Sequence, residues 1–110
     1  PDWVFAPVWT ILYLLMTFAI WNFWHSKNKD MNTVYIYFIH IIINTTWSIV
    51  FFALHKIFLA MLVLIILIIF IFLLIIRFKP VNKLSFYLMI PYLLWCFYAL
   101  FLNINLVILN

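Results

Sequence analysis

The chain has 110 residues, 72% of them hydrophobic and 7% charged, with a formal net charge of +4 at neutral pH. A soluble globular domain carries about 45–50% apolar and about 25% charged residues, so this chain cannot cover a water-facing surface and must turn its outside to lipid. There is no glycine, which disfavours glycine-dependent hairpins and phosphate-binding loops.

A transmembrane barrel would show segments of about ten residues alternating apolar and polar. The apolar runs here are near-continuous and roughly twice that length, as a helix needs to cross about 30 Å of hydrocarbon. The expected fold is therefore all-α: an integral membrane bundle of four transmembrane helices in a single domain spanning residues 1–110. The first helix is predicted over about residues 3–24 and ends at His25-Ser26-Lys27-Asn28-Lys29-Asp30. Pro7 falls in its first turns, where the missing N–H costs little. The second is predicted over about 33–54 and is followed only by His55-Lys56. The third, about 57–76, closes at Arg77-Phe78-Lys79-Pro80, and the fourth runs over about 84–109. Loops this short predict antiparallel helices that neighbour one another in chain order. Pro91 is expected to kink the fourth helix and free a carbonyl near residue 87. The chain opens at Pro1 with no basic segment ahead of its first apolar run. It therefore does not begin with a signal peptide, and reads as a piece of a longer product.

The first and third loops share one side of the membrane and hold Lys27, Lys29, Arg77, Lys79 and Lys83; Lys56 is alone on the other. The positive-inside tendency puts the richer side in the cytoplasm. Lys and Arg beside anionic lipid headgroups account for the net charge without a nucleic-acid partner.

Three helices carry groups that lipid-facing surface does not need. His40, Asn44 and Trp47, with Phe51 beyond, recur at helical spacing on the second helix. Pro91, Trp95, Ala99 and Asn103 recur every four residues on the fourth, and Trp9, Tyr13 and Met16 follow one another on the first. These stripes are expected to point inward, with Asn44 and Asn103 serving at the least as interhelical hydrogen-bond partners. Trp3, Trp21 and Trp24 fall near helix ends and read as interfacial belt residues. His40 reads as a hydrogen-bonded interior histidine, because no second His, Cys or carboxylate lies at metal-ligand spacing from it. Cys96 reads as a small buried hydrophobe. The carboxylates, Asp2 and Asp30, sit in end or loop positions. No acid–base pair, activated nucleophile or charged ion path therefore lies within the membrane, and neither a metal nor a catalytic residue is expected. An interior of Trp, Tyr, Phe and Met with a few amides suits a flat, apolar, largely aromatic ligand.

Residues 1–16, PDWVFAPVWTILYLLM, resemble the P-x-W-V-F-G-P-V-W-T-x-L-Y-x-L-M signature of the TspO/MBR family, the tryptophan-rich sensory proteins and mitochondrial translocator proteins, also called peripheral-type benzodiazepine receptors. His40 through Phe52 resemble the family's Q-L-x-x-N-x-x-W-S-x-x-F-F block, and Pro91 through Asn103 resemble P-Y-L-x-W-x-x-[FYT]-A-x-x-L-N. The resemblance implies a five-helix bundle of which this chain covers the second to fifth helices, frequently dimeric. It also implies a cavity that binds porphyrins such as protoporphyrin IX, cholesterol in animal members, and synthetic benzodiazepine-type ligands. The ligand-binding positions it implies, taken with the stripes above, are Trp9, Tyr13, His40, Asn44, Trp47, Trp95, Ala99 and Asn103. The function implied is a membrane receptor, sensor or transporter taking a porphyrin-like or haem-like ligand and requiring no cofactor; the Ile-, Asn- and Lys-rich usage of the chain points to a bacterial cell membrane. Light-dependent porphyrin breakdown, or an inactive piece lacking the first helix, are the alternatives. Three positions depart from the family pattern: His40 stands where Gln is common, Ile68 where Trp is often found, and Ala6 replaces a Gly. The stretch 103–110 lacks the Tyr and basic residue of the animal cholesterol motif.

Overall fold

The computed structural model describes residues 2–27 and 29–109, with side chains from residue 7 onward; the Trp3 and Ala6 expectations lie outside the described side chains. Among the described residues the fold is built from four helices: α1 (Asp2–Trp24), α2 (Met31–Ser48, continued by a π-helical stretch, Ile49–Ala53), α3 (Ile57–Phe78) and α4 (Lys83–Leu109). All four are long and apolar enough to cross a membrane. The bundle's 49 Å long axis exceeds the roughly 30 Å of hydrocarbon it must span. The chain is an all-α integral membrane protein.

Helix ends follow from local chemistry. The Asp30 side chain accepts from the Thr33 backbone N–H at 3.1 Å and from its hydroxyl at 2.8 Å, so α2 starts at Met31, two residues before the expected point. This cap occupies the first orphan donors of the helix. Asn82 does the same for α4, its Oδ1 accepting from Ser85 N–H at 3.0 Å. After the π-helical stretch, His55 adopts φ 54° and the Lys56 N–H reaches back to Val50 O at 3.1 Å. This left-handed residue closes the helix as glycine usually does. The chain has no glycine to offer, so an imidazole-bearing residue takes the strained position.

α3 lies in the middle of the packing, against α2 on one side and α4 on the other, and α1 packs on α4. Its buried stripe, Ala60, Leu64, Leu67, Ile71, Leu74 and Phe78, repeats at helical spacing. Phe78 meets Phe23 with ring centroids 5.0 Å apart, which carries α3 two residues beyond its predicted end. The expectation that chain neighbours would be packing neighbours fails for the first pair. α1 and α2 are antiparallel but pack sparsely, linked by side chains such as Tyr13–Asn44 and Trp9–Trp47. The order around the bundle is α1–α4–α3–α2, open between its two ends.

The fourth-helix stripe also needs correction. α4 continues through Pro91 without a break, and Pro91 lies on its exposed side, so it opens no space between helices. Steps of four residues drift by about 40° each on a helix of 3.6 residues per turn, so Pro91 and Asn103 cannot share a face. The buried face instead runs Met89, Tyr92, Cys96, Ala99 and Asn103, alternating steps of three and four.

Candidate functional site

Apolar packing alone gives little net drive for one helix to associate with another inside lipid, so polar links carry unusual weight. Three helices converge on one such network. On α2, Tyr37, His40 and Asn44 share a face that the helix turns inward, and His40 and Asn44 are fully buried. From α4, the buried Tyr92 hydroxyl comes between them. It lies 2.8 Å from His40 Nε2 and 2.6 Å from Asn44 Nδ2, so the two α2 side chains are joined through Tyr92. From α1, Tyr13 donates its hydroxyl proton to Asn44 Oδ1 at 2.7 Å. His40 Nδ1 lies 3.1 Å from the Tyr37 carbonyl.

A second link lies toward the α2–α3 turn. Trp47 Nε1 donates to Asn103 Oδ1 at 3.4 Å, and Asn103 Nδ2 donates to the Ile57 carbonyl at 3.0 Å. Asn103 is fully buried and Ala99 lies one turn before it on the same inward face. Between the two links sits an aromatic cluster centred on Trp9. Its ring is 5.8 Å from Tyr13, 6.0 Å from Trp47, 6.4 Å from Tyr92 and 6.4 Å from Trp95. The last two are edge-on, the arrangement ring quadrupoles favour. The structure thus brings Trp9, Tyr13, His40, Asn44, Trp47 and Trp95 into one contiguous assembly, with Ala99 and Asn103 beside it.

Beyond this assembly there is open space as well. A groove of about 350 Å³ runs between α1 and α2, lined by Thr17, Ile20, Trp21, Trp24, Val34 and Phe38. Tyr13 is one turn further along α1 than Thr17 and, at 39% exposure, is the one relay member that reaches the outside of the bundle. At one end of the groove, the Lys29 ammonium sits 4.1 Å above the Trp24 ring. Sequence reasoning missed Tyr92 and these lining residues. Alternating steps of three and four back from Asn103 point to Tyr92. The groove has no local signal, because it exists only through the packing order of the helices.

Among the described residues no three His, Cys, Asp or Glu side chains cluster as metal ligands. Exposed polar side chains on the helices satisfy themselves: Thr17, Asn22, Thr46 and Asn105 each donate to a carbonyl four residues back at 2.8–2.9 Å.

Fold and site define a helical membrane protein in which an aromatic–amide interior opens beside a tryptophan-lined groove. The comparisons make the assignment specific: the TspO/MBR family model matches residues 1–109, and the chain belongs to that family. It is similar to the tryptophan-rich protein TspO of Chlorobaculum tepidum, 34% identical over the whole of this chain and 72% of the relative. It is also similar to the tryptophan-rich protein TspO of Archaeoglobus fulgidus, 32% identical over all of this chain and 72% of the relative. The translocator protein homolog of Schizosaccharomyces pombe is 31% identical, again over all of this chain and 70% of its own length.

Proposed function

We propose that this chain is a membrane receptor, sensor or transporter for a porphyrin-like tetrapyrrole, held in the groove between α1 and α2, in a bacterial cell membrane. The observation that carries the reading is the groove itself, with Trp21, Trp24 and Phe38 in its walls and Lys29 at its mouth. Its volume is at the small end of ligand sites, about 300–1,000 Å³, and its open side lets a larger disc extend toward lipid. A carboxylated porphyrin has a flat apolar body and one anionic edge. The body would lie along the indoles, and the propionates would meet Lys29 and Lys27 at the headgroup level. At 1.5 Å per residue, Tyr13 lies about 16 Å along α1 from Trp24, which suits a disc of that breadth. Thr17 would offer the polar contact within the groove.

The test is titration of protoporphyrin IX into the purified chain in detergent, followed by tryptophan fluorescence. Trp24→Ala removes a stacking face and the ring beneath Lys29, and is expected to weaken binding by about tenfold, from roughly 1.4 kcal/mol of aromatic contact. Affinity unchanged by Trp24→Ala would sink the groove as the site. The rival reading is that another apolar helix fills the same opening and the chain alone is inactive, since α1 and α2 pack only sparsely on each other. Under it, protoporphyrin IX would not quench the wild-type chain at all.

A further inference from the structure

Oxidisable rings crowd the interior, and one of them is bonded to a base. Centroid to centroid, Trp9 stands 5.8 Å from Tyr13, 6.0 Å from Trp47, 6.4 Å from Tyr92 and 6.4 Å from Trp95, so each of these rings is its immediate neighbour. Trp9 and Trp95 are partly buried, whereas Tyr92 has no exposure. An oxidant at the surface of the bundle therefore meets these indoles before the phenol of Tyr92.

The two phenols beside Trp9 differ in what their hydroxyls face. Tyr13 donates to the Asn44 carbonyl oxygen at 2.7 Å, and a neutral amide cannot hold a proton taken from a phenol. Tyr92 instead meets His40 Nε2 at 2.8 Å. The Tyr37 carbonyl, 3.1 Å from His40 Nδ1, can only accept, so Nδ1 carries the imidazole proton and Nε2 turns its lone pair to the Tyr92 hydroxyl. Among the described residues Tyr92 is the one tyrosine bonded to an imidazole. Loss of an electron makes a phenol strongly acidic, and here the base that takes its proton is already in place. The product is housed as well: an imidazolium at His40 keeps its bond to the Tyr37 carbonyl, and the Tyr92 oxygen keeps the Asn44 amide N–H at 2.6 Å.

We propose that Tyr92 and His40 form a redox site, at which an oxidised Trp9 takes an electron from Tyr92 while the phenolic proton moves to His40 Nε2. An outer-sphere one-electron oxidant, of the class of photo-excited dyes and inorganic radicals, first removes an electron from the indoles and is itself reduced. The Trp9 radical cation then returns to neutral indole. The Tyr92 O–H bond breaks, an N–H bond forms on Nε2, and a neutral phenoxyl radical faces an imidazolium. One positive charge is present before and after, so the step buries no additional charge. The oxidising equivalent leaves the partly exposed indoles for an oxygen sealed inside the bundle. The step needs no molecule between α1 and α2.

Laser flash photolysis of the purified chain in detergent, with a ruthenium polypyridyl dye and a cobalt(III) ammine quencher, tests this. Tyr35→Phe, Tyr87→Phe and Tyr98→Phe are combined as the background, because these exposed phenols would react with the dye directly. The broad visible band of a tryptophanyl radical is expected to decay into the sharp near-ultraviolet band of a tyrosyl radical, more slowly in deuterium oxide than in water. Tyr92→Phe should lose the tyrosyl band and prolong the tryptophanyl one, while Tyr13→Phe should leave both unchanged. His40→Gln can still accept the hydrogen bond but not the proton. Its tyrosyl band should rise about a hundredfold more slowly, the low end of what a positioned base contributes. Because this variant keeps the interior bond, unchanged helicity by circular dichroism separates lost chemistry from lost fold. A tyrosyl band that survives Tyr92→Phe, or that rises in His40→Gln at the unsubstituted rate, overturns the proposal. So does a radical lost only in Cys96→Ala, which would put the oxidising equivalent on the buried thiol one turn along α4.

Discussion

Tyr92 ties α4 to α2, because its one hydroxyl serves two buried α2 side chains. Its ring packs edge-on to Trp9 and His40, while its oxygen pairs with both His40 and Asn44. Tyr92→Phe keeps the ring and strands His40 Nε2 and an Asn44 N–H in a site with no exposure. Each unpaired buried group costs about 1–3 kcal/mol, and membrane measurements sit at the low end, so a loss of about 2 kcal/mol is expected. Unfolding by SDS titration from mixed micelles reads it directly; a variant within about 0.5 kcal/mol of wild type would show that the hydroxyl is dispensable. His40 and Asn44 were legible in the sequence because an amide or imidazole amid Ile and Val must turn inward to find a partner. Tyr92 was not: a tyrosine serves equally well in an interfacial belt, against lipid or in a core, and five others in the chain compete for the assignment.

At the level of the helices, the apolar runs announced themselves by length, and their ends were legible to within two residues. What shifted them were caps and contacts. Asp30 draws α2 back to Met31, and Phe78 carries α3 onward to meet Phe23. The π-helical stretch and the His55 turn left no pattern to read, since nothing in Ile-Val-Phe-Phe-Ala distinguishes a π-helical turn from an α-helical one. His55 holds φ 54° at a junction where glycine would sit without a Cβ penalty. His55→Gly is therefore expected to stabilise the chain by about 0.5–1 kcal/mol, the relief of left-handed strain less the added freedom of the unfolded state. His55→Val, β-branched and still less tolerant of this conformation, should destabilise it. The same SDS titration orders the three proteins. A His55→Gly variant less stable than wild type would mean that the imidazole itself is held by its surroundings.

Across the whole molecule, the two ends of the bundle differ in chemistry as well as position. At one end the α1–α2 and α3–α4 loops are tied together: Arg77 lies 3.5 Å from Asp30, and Asn82 donates to Ser26 at 2.9 Å and to the Asn22 carbonyl at 3.2 Å. Lys27, Lys29, Lys79 and Lys83 surround this junction. The other end carries Lys56 and the Asn103–Ile57 bond. Alternation of the four spans places these ends on opposite sides of the membrane, with the lysine-rich end expected in the cytoplasm. Cys96, the one thiol, is fully buried, so a Cys96→Ala background can be labelled at chosen sites without competition. In intact cells, Lys56→Cys in that background is expected to react with a membrane-impermeant maleimide, and Lys79→Cys only after permeabilisation. The reverse pattern would turn the molecule over and put the mouth of the groove, at Lys29, on the outer face. Labelling of both from one side would break the alternation on which the four-span fold depends.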